Sequence, residues 1–313
     1  MSTAKQQRKH AAERKKRESA KGMVRRKTNS AVSVGRFQIH SLLGSGGMCD
    51  VYACTDIRRA EWSDTAPQVA VKRLLPVLAS NRHAQIALAK EFFTLRHLTH
   101  PGIVRAFDLH EEPWGLCFSM ELLDGPSVYE ILGREPQGLG QDCIPMAVRL
   151  FEALVYLHGL GVVHADVKPT NLFLVREGRL VLIDFNVSQV SAKPGAACSP
   201  VAQGLRAKLH FSAHSLLHAS PERIQSGRPS MADDVFSACC TIYELMEGAH
   251  PFGGKSALEA MEKNMRPAKP MGISTARWKL LRRGLSFEPG ERPNAEQLWK
   301  GFSAAGFLRG LTL

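Results

Sequence analysis

At 313 residues and 44% hydrophobic composition, the chain has material for one large domain or two small lobes, each with a core. Its net charge is +12, but residues 1–34 carry eleven Lys/Arg against Glu13 and Glu18, so +9 sits there and only +3 on residues 35–313. No apolar run reaches the ~18 residues of a membrane span, and the basic N-terminus lacks the following apolar segment of a secretory signal, so the expectation is a cytoplasmic protein.

Seven cysteines, two of them adjacent (Cys239 and Cys240), show no C-x-x-C pair or metal-ligand spacing. Their odd number argues against a disulfide framework and for buried or inert thiols.

Residues 1–34 are charged and poor in aromatics, which predicts a disordered tail. Order begins at Gly35-Arg36-Phe37. Phe37, Ile39 and Leu42-Leu43 predict a strand, residues 44–47 a glycine-rich turn, and Val51-Tyr52-Ala53 the returning strand. After the polar segment Arg58–Gln68 comes Val69-Ala70-Val71-Lys72-Arg73-Leu74, a third strand. Helical spacing runs through Ala84–Leu98, followed by strands at Ile103–Leu109 and Leu116–Leu122, and Asp124-Gly125-Pro126 breaks the pattern. Beyond it the chain reads as helices: Ser127–Leu132, Pro145–Leu160, Met231–Glu247, Ser256–Lys263, Ser274–Gly284 and Asn294–Phe302. Strands early and helices late predict an α+β fold in two lobes, 35–124 and 125–313, behind the tail 1–34.

The densest chemical signal lies between Val162 and Asn186. There V-V-H-A-D-V-K-P-T-N-L-F-L is followed by I-D-F-N, placing Asp166, Lys168, Asn171 and Asp184 within one 25-residue window. Transfer of a γ-phosphate needs a carboxylate near the acceptor hydroxyl, a cation against the moving phosphate, and oxygen ligands for a divalent metal. The window resembles the catalytic and metal-binding loops of the protein-kinase family.

The resemblance extends along the chain from about residue 36 to 303. Leu43-Gly44-Ser45-Gly46-Gly47-Met48-Cys49-Asp50-Val51 resembles the glycine-rich loop, with Cys49 in place of its third glycine. Ser220-Pro221-Glu222 resembles the end of the activation segment, with Arg292 as the implied ion-pair partner of Glu222. Asp234 resembles the helix residue that anchors the catalytic-loop backbone. The resemblance implies Asp166 as base, Lys168 on the γ-phosphate, Asn171 and Asp184 as metal ligands, and a Lys72–Glu91 pair serving the α/β-phosphates. It implies a bilobal kinase fold using ATP with Mg²⁺, or Mn²⁺ in its place. Adenine would be held by Leu43, Val51 and Ala70 from one side and Phe173 from the other, with Met120 as gatekeeper and Glu121-Leu122-Leu123 as hinge. The backbone of Gly44, Ser45, Gly46 and Gly47 would face the phosphates. Lys168 and Ser215 point to serine or threonine acceptors on protein substrates.

Three departures bear on this expectation. Ala165 replaces the arginine that pairs with a phosphorylated activation loop, which predicts activity independent of that phosphorylation. Asn186 replaces the glycine of D-F-G and is expected to supply the positive φ that glycine tolerates. Cys49 alters the glycine loop. Together they leave open a pseudokinase acting as a nucleotide-binding scaffold. A small-molecule kinase shares H-x-D-x-x-x-x-N but generally lacks the Lys168, Ser220-Pro221-Glu222 and Arg292 features. A third reading is a nucleic-acid binder working through the tail, whose charge suits weak attraction to nucleic acid or an anionic surface. Thr28, Ser30 and Ser33 are candidate autophosphorylation sites. His210, His214 and His218 are read as polar loop residues rather than a metal site.

Overall fold

The computed structural model describes residues 32–62, 67–190 and 213–303. The chain divides into two compact units. One runs as far as Asn81 and resumes at Leu109–Leu122; the other comprises Arg82–Asp108 and the chain from Leu123 onward.

The first unit is built on a six-stranded sheet in the order β1-β2-β3-β4-β6-β5. Its strands are β1 (Val32–Val34), β2 (Phe37–Ser45), β3 (Cys49–Asp56), β4 (Gln68–Leu74), β5 (Ala106–Glu112) and β6 (Gly115–Glu121). Pairing is antiparallel from β1 through β4 and from β4 to β6. A one-turn helix, α1 (Ile57–Ala60), follows β3 and is capped by Asp56, whose side chain accepts from the Arg59 amide. Alternation sends Phe37, Cys54, Val69, Val71 and Cys117 to one face of the sheet, where each is at most 2% exposed. Two register shifts interrupt β2 against β3, between Ile39 and Ser41 and between Leu42 and Gly44, so the strand bends as it approaches the glycine-rich turn.

The second unit is mostly helical: α2 (Arg82–Arg96), α3 (Val128–Arg134), α4 (Ile144–Gly159), α5 (Ala213–His218), α6 (Pro221–Ser226), α7 (Met231–Glu247), α8 (Ala257–Glu262), α9 (Thr275–Gly284) and α10 (Ala295–Ser303). Two short pairs of strands sit among them, β7 (Val162–Val163) with β10 (Gln189–Val190), and β8 (Leu172–Leu174) with β9 (Leu180–Leu182). At its centre lies α7. From Asp233 to Tyr243 every residue is buried, as expected of a helix apolar on most faces. Its ends are fixed locally. Ser230 and Asp233 form a reciprocal capping box, and Gly248 closes the helix at φ 69°, a conformation a β-carbon disfavours. Such fixed ends hold Asp234 in place one turn into the helix.

Sheet first and helices second is the α+β segregation expected from the sequence. Several details differ. Val32–Val34, assigned to the tail by composition, forms β1 against β2. The strand expected at Ile103–Leu109 begins at Ala106 instead. Strands β7 to β10 and helices α5 and α6 were not anticipated, because two to six residues carry too little periodicity to read. The six cysteines in the described residues are buried and form no disulfide with one another, and burial pushes Cys54, Cys117 and Cys143 up to about 12. His218 is a buried helix residue whose ring meets Glu244 at 3.0 Å, not a polar loop residue. His210, Thr28 and Ser30 lie outside the described residues. Among the described residues, no helix is long and apolar enough to cross a membrane, and no cluster of metal-ligating side chains stands alone.

Candidate active site

The catalytic-loop residues converge within the second unit. Lys168 Nζ donates to Asp166 Oδ2 at 2.6 Å and to Ser215 Oγ at 2.7 Å. Asn171 Nδ2 donates to the Asp166 carbonyl at 2.9 Å and to Asp166 Oδ2 at 3.1 Å. One carboxylate oxygen thus takes a cation and an amide, while Lys168 bridges the loop to α5. These bonds also assign the Asn171 amide. Both of its donor contacts go to acceptors, so its nitrogen is spent on Asp166 and its oxygen remains for a hard cation.

His164 supports the loop from beneath. It is fully buried, accepts at Nδ1 from the Asp166 N–H (3.2 Å), and donates from Nε2 to the Ile183 carbonyl (3.0 Å). Those partners require the neutral ring with its proton on Nε2. It also meets Phe185 in a T-shaped contact, with centroids 4.6 Å apart. The Ile183 N–H in turn reaches the Asn171 carbonyl at 2.9 Å, so Asp184 leaves a strand end already tied to the catalytic loop.

Asp234 clamps the loop backbone. Its Oδ2 accepts from the His164 N–H (2.8 Å) and its Oδ1 from the Ala165 N–H (2.7 Å), and His158 Nε2 meets Oδ2 at 3.0 Å. The clamp matters because Ala165 sits at φ 68° and Asp184 at φ 66°, two of three non-glycine residues in the left-handed region among those described. Such conformations cost about 1–3 kcal/mol each and persist where surroundings dictate them. Here the expectation for Asn186 is corrected: the positive φ falls on Asp184, not on Asn186. The turn is made two residues earlier, so the position of D-F-G glycine need not be left-handed.

Glu222, the last residue of Ser220-Pro221-Glu222, receives Arg292 in a two-pronged pair, with Nη2 to Oε2 at 2.9 Å and Nη1 on Oε1. Arg292 also donates to the carbonyls of Ser286 (2.8 Å), Ala232 (3.1 Å) and Phe287 (3.3 Å), and its guanidinium lies 4.9 Å from the Phe236 centroid. Asp233 stands beside Glu222 and accepts from Ser220 Oγ at 2.6 Å. Burial, with the neighbouring Glu222 carboxylate, raises Asp233 to about 6. Burial is the largest single influence on Glu222 and pushes it up, but hydrogen bonds from Arg292 and Asp233 and the Arg292 charge together outweigh it and hold Glu222 below its usual value.

In the first unit, the β4 register sets Ala70 opposite Met120 and Ala53, and Lys72 opposite Val51 and Phe118. Ala70, Lys72, Val51 and Met120 therefore share one face of the sheet. Glu121 ends β6 opposite Val69. Leu43 and Gly44 occupy the bent end of β2, and the turn beyond is closed by the Gly46 N–H on the Cys49 carbonyl at 2.8 Å. A β-carbon at Gly44 or Gly47 would meet nothing within 4 Å, so the hairpin presents bare backbone. Cys49 is buried opposite Leu74, a position that a side chain can fill. Ser45 Oγ donates to Asp50 Oδ1 at 2.6 Å and fixes the hairpin from within.

Of the remaining expected residues, Glu91 lies in the second unit on the stripe Ala84, Leu88, Glu91, Leu95 that α2 buries, and Lys72 is buried in the first. Leu123 and Phe173 belong to the second unit, where Phe173 pairs with Val181 and bridges to Ser127. His164, His158 and Asp233 were missed. His158 meets its partner 76 residues away, a separation that leaves no local signal.

The family model of the protein kinase domain matches residues 37–301. The chain is 32% identical over 238 residues to the serine/threonine-protein kinase PkaA of Streptomyces coelicolor, covering 74% of this chain and 42% of that protein. It is 30% identical to the serine/threonine-protein kinase pkn2 of Myxococcus xanthus, covering 72% of this chain and 26% of the relative. It is 25% identical to the serine/threonine-protein kinase cds1 of Schizosaccharomyces pombe, over 88% of this chain and 58% of the relative. The chain thus spans between about a quarter and under two thirds of these relatives.

Proposed function

Since the chain belongs to the protein kinase domain family, we propose that it transfers the γ-phosphate of ATP to serine and threonine hydroxyls of proteins. The observation that carries the reading is the single carboxylate of Asp166, held by Lys168 at 2.6 Å and Asn171 at 3.1 Å, with Lys168 reaching on to Ser215. Asp166 orients the acceptor hydroxyl and takes its proton as the oxygen–phosphorus bond forms and the bond to the β-phosphate oxygen breaks. Lys168 steadies the transferred phosphate. Lys72 and Glu91 serve the α/β-phosphates. Leu43, Val51, Ala70, Met120, Glu121, Leu123 and Phe173 hold adenine, and the Gly44–Gly47 backbone faces the phosphates.

Asn171 and Asp184 would hold Mg²⁺, or Mn²⁺; the amide oxygen of Asn171 and the Asp184 carboxylate are the hard donors such an ion takes. When bound, the ion neutralises charge on the phosphates. A thermal-shift titration tests this: the added stabilisation by ATP should depend on Mg²⁺ in the native chain and lose that dependence in Asn171→Ala and Asp184→Ala. Equal Mg²⁺ dependence in both variants would refute the assignment.

Activity is independent of activation-loop phosphorylation. In support, the Ala165 side chain is a methyl group that cannot reach a phosphate, and its N–H is already held by Asp234. Phosphatase treatment should leave the rate unchanged, and loss of activity would overturn this part. The N-terminal segment 1–34 adds weak attraction to nucleic acid or an anionic surface.

A further inference from the structure

From Lys263 to Phe287 the chain carries seven Lys/Arg and no Asp/Glu, although residues 35–313 together are only +3. The fold gathers four of these cations, Arg266, Lys269, Arg282 and Arg283, around one cavity of about 550 Å³ at α9 and the segment after α8. All four side chains are exposed, and among the described residues none has a carboxylate partner at ion-pair distance. The one acid in the lining, Glu291, is already committed, accepting Ser286 Oγ at 2.6 Å while its backbone carbonyl accepts Arg283 Nε at 3.2 Å. Four uncompensated cations around a concavity repel one another and favour an anionic occupant.

The apolar surface narrows the choice of occupant. Trp278 and Phe287 line the same cavity, both half-buried, and the Arg266 guanidinium lies 5.9 Å from the Phe287 centroid. Cations beside aromatic surface suit a peptide that mixes anionic and apolar side chains. A duplex offers a convex phosphate backbone with nothing to fill a cavity. The cavity wall is also continuous with the activation-segment anchor, because the Ser286 and Phe287 carbonyls accept Arg292, which grips Glu222.

We propose that this cleft docks an acidic segment of a protein substrate, with clustered carboxylates or phosphorylated hydroxyls, away from the residue that is phosphorylated. The proposal deepens the kinase reading and rests on it for the word substrate.

Fluorescence anisotropy on the full chain at about 0.15 M salt tests it with a labelled Glu/Leu peptide, its phosphoserine counterpart and a Gln-for-Glu control. Binding by either acidic peptide supports the proposal, the tighter naming the source of the anion, and the control should bind at least about tenfold more weakly. Lys269→Glu combined with Arg282→Glu should weaken the acidic peptide at least about tenfold and leave phosphorylation of a generic basic protein unchanged, which also shows that the variant folds. Fusing the acidic peptide to a serine acceptor should lower KM at unchanged kcat, and the double variant should abolish that gain. Equal binding by native and variant chains would place the interaction elsewhere on the chain and overturn the proposal. So would a single-stranded oligonucleotide that binds, is lost in the variant, and has no acidic-peptide counterpart. Binding needs no phosphotransfer, so an inactive chain that still docks the peptide sinks the kinase reading alone.

Discussion

Replacing Asp234 with asparagine keeps the shape of the side chain but exchanges one carboxylate oxygen for an NH₂ donor. In the native protein this buried group takes three donors, the N–H groups of His164 (2.8 Å) and Ala165 (2.7 Å) and His158 Nε2 (3.0 Å). Whichever way the amide turns, at least one backbone N–H then faces another donor. Hydrogen bonds to a charged acceptor contribute about 1.5–3 kcal/mol each, and a buried donor left unmade costs ~1–3 kcal/mol. One bond lost, one donor stranded and the others weakened put the expected destabilisation at about 3–5 kcal/mol. The same clamp keeps Ala165 at φ 68°, so its release lets Ala165 relax and carries the adjacent Asp166 out of place. A displacement of ~1 Å at a catalytic group costs about a hundredfold in rate. Urea denaturation should show the lost stability, and steady-state kinetics should show kcat about a hundredfold lower with KM for ATP little changed. Ala165→Gly separates the two effects, because glycine takes this φ without strain and should stabilise by up to ~1 kcal/mol. Asp234→Asn with native kcat and native stability would refute the clamp.

Arg292→Leu should cost about 3–5 kcal/mol, since it strands Glu222 and the carbonyls of Ser286, Ala232 and Phe287, and denaturant midpoints check it. Asp233 should leave a pH signature. Its folded value is raised to about 6 from the usual 3.8, so the folded state binds the proton more tightly, and the stability it adds is full below 3.8 and lost as pH rises through 6. Glu222, held low, works the opposite way, losing stability as pH falls below its usual 4.5. Asp233→Asn should remove the decline between pH 4 and 6 in urea midpoints measured across that range. Ser215→Ala should lower kcat about tenfold, the weight of one hydrogen bond to a charged group, with Ser215→Thr restoring it; an unchanged Ser215→Ala rate would remove Ser215 from the site.

What the sequence made legible follows the range of the interactions. Asp166, Lys168 and Asn171 lie within six residues, and their mutual bonds are local, so motif spacing found them. The α7 helix was legible end to end because its apolar run, its Ser230 cap and its Gly248 stop agree. The grip of Asp234 on the loop came only through resemblance, and its third contact, from His158, not at all, since helix α4 is brought to α7 by packing that periodicity does not encode. Asn186 was misread for a related reason. Residue type says which positions tolerate a positive φ, but the hydrogen bonds of Ile183 and the placement of Phe185 decided that Asp184 takes it. The β1 strand was hidden because three residues at the edge of a charged segment have no composition of their own.

The proposed phosphotransfer depends most directly on Asp166. Radiolabelled γ-phosphate from Mg-ATP should pass to serine and threonine of a generic basic protein with the native chain and not with Asp166→Ala, at equal ATP binding by thermal shift. Label transferred equally by both, or by neither while ATP still binds, would contradict the account, the second result leaving a nucleotide-binding scaffold in its place.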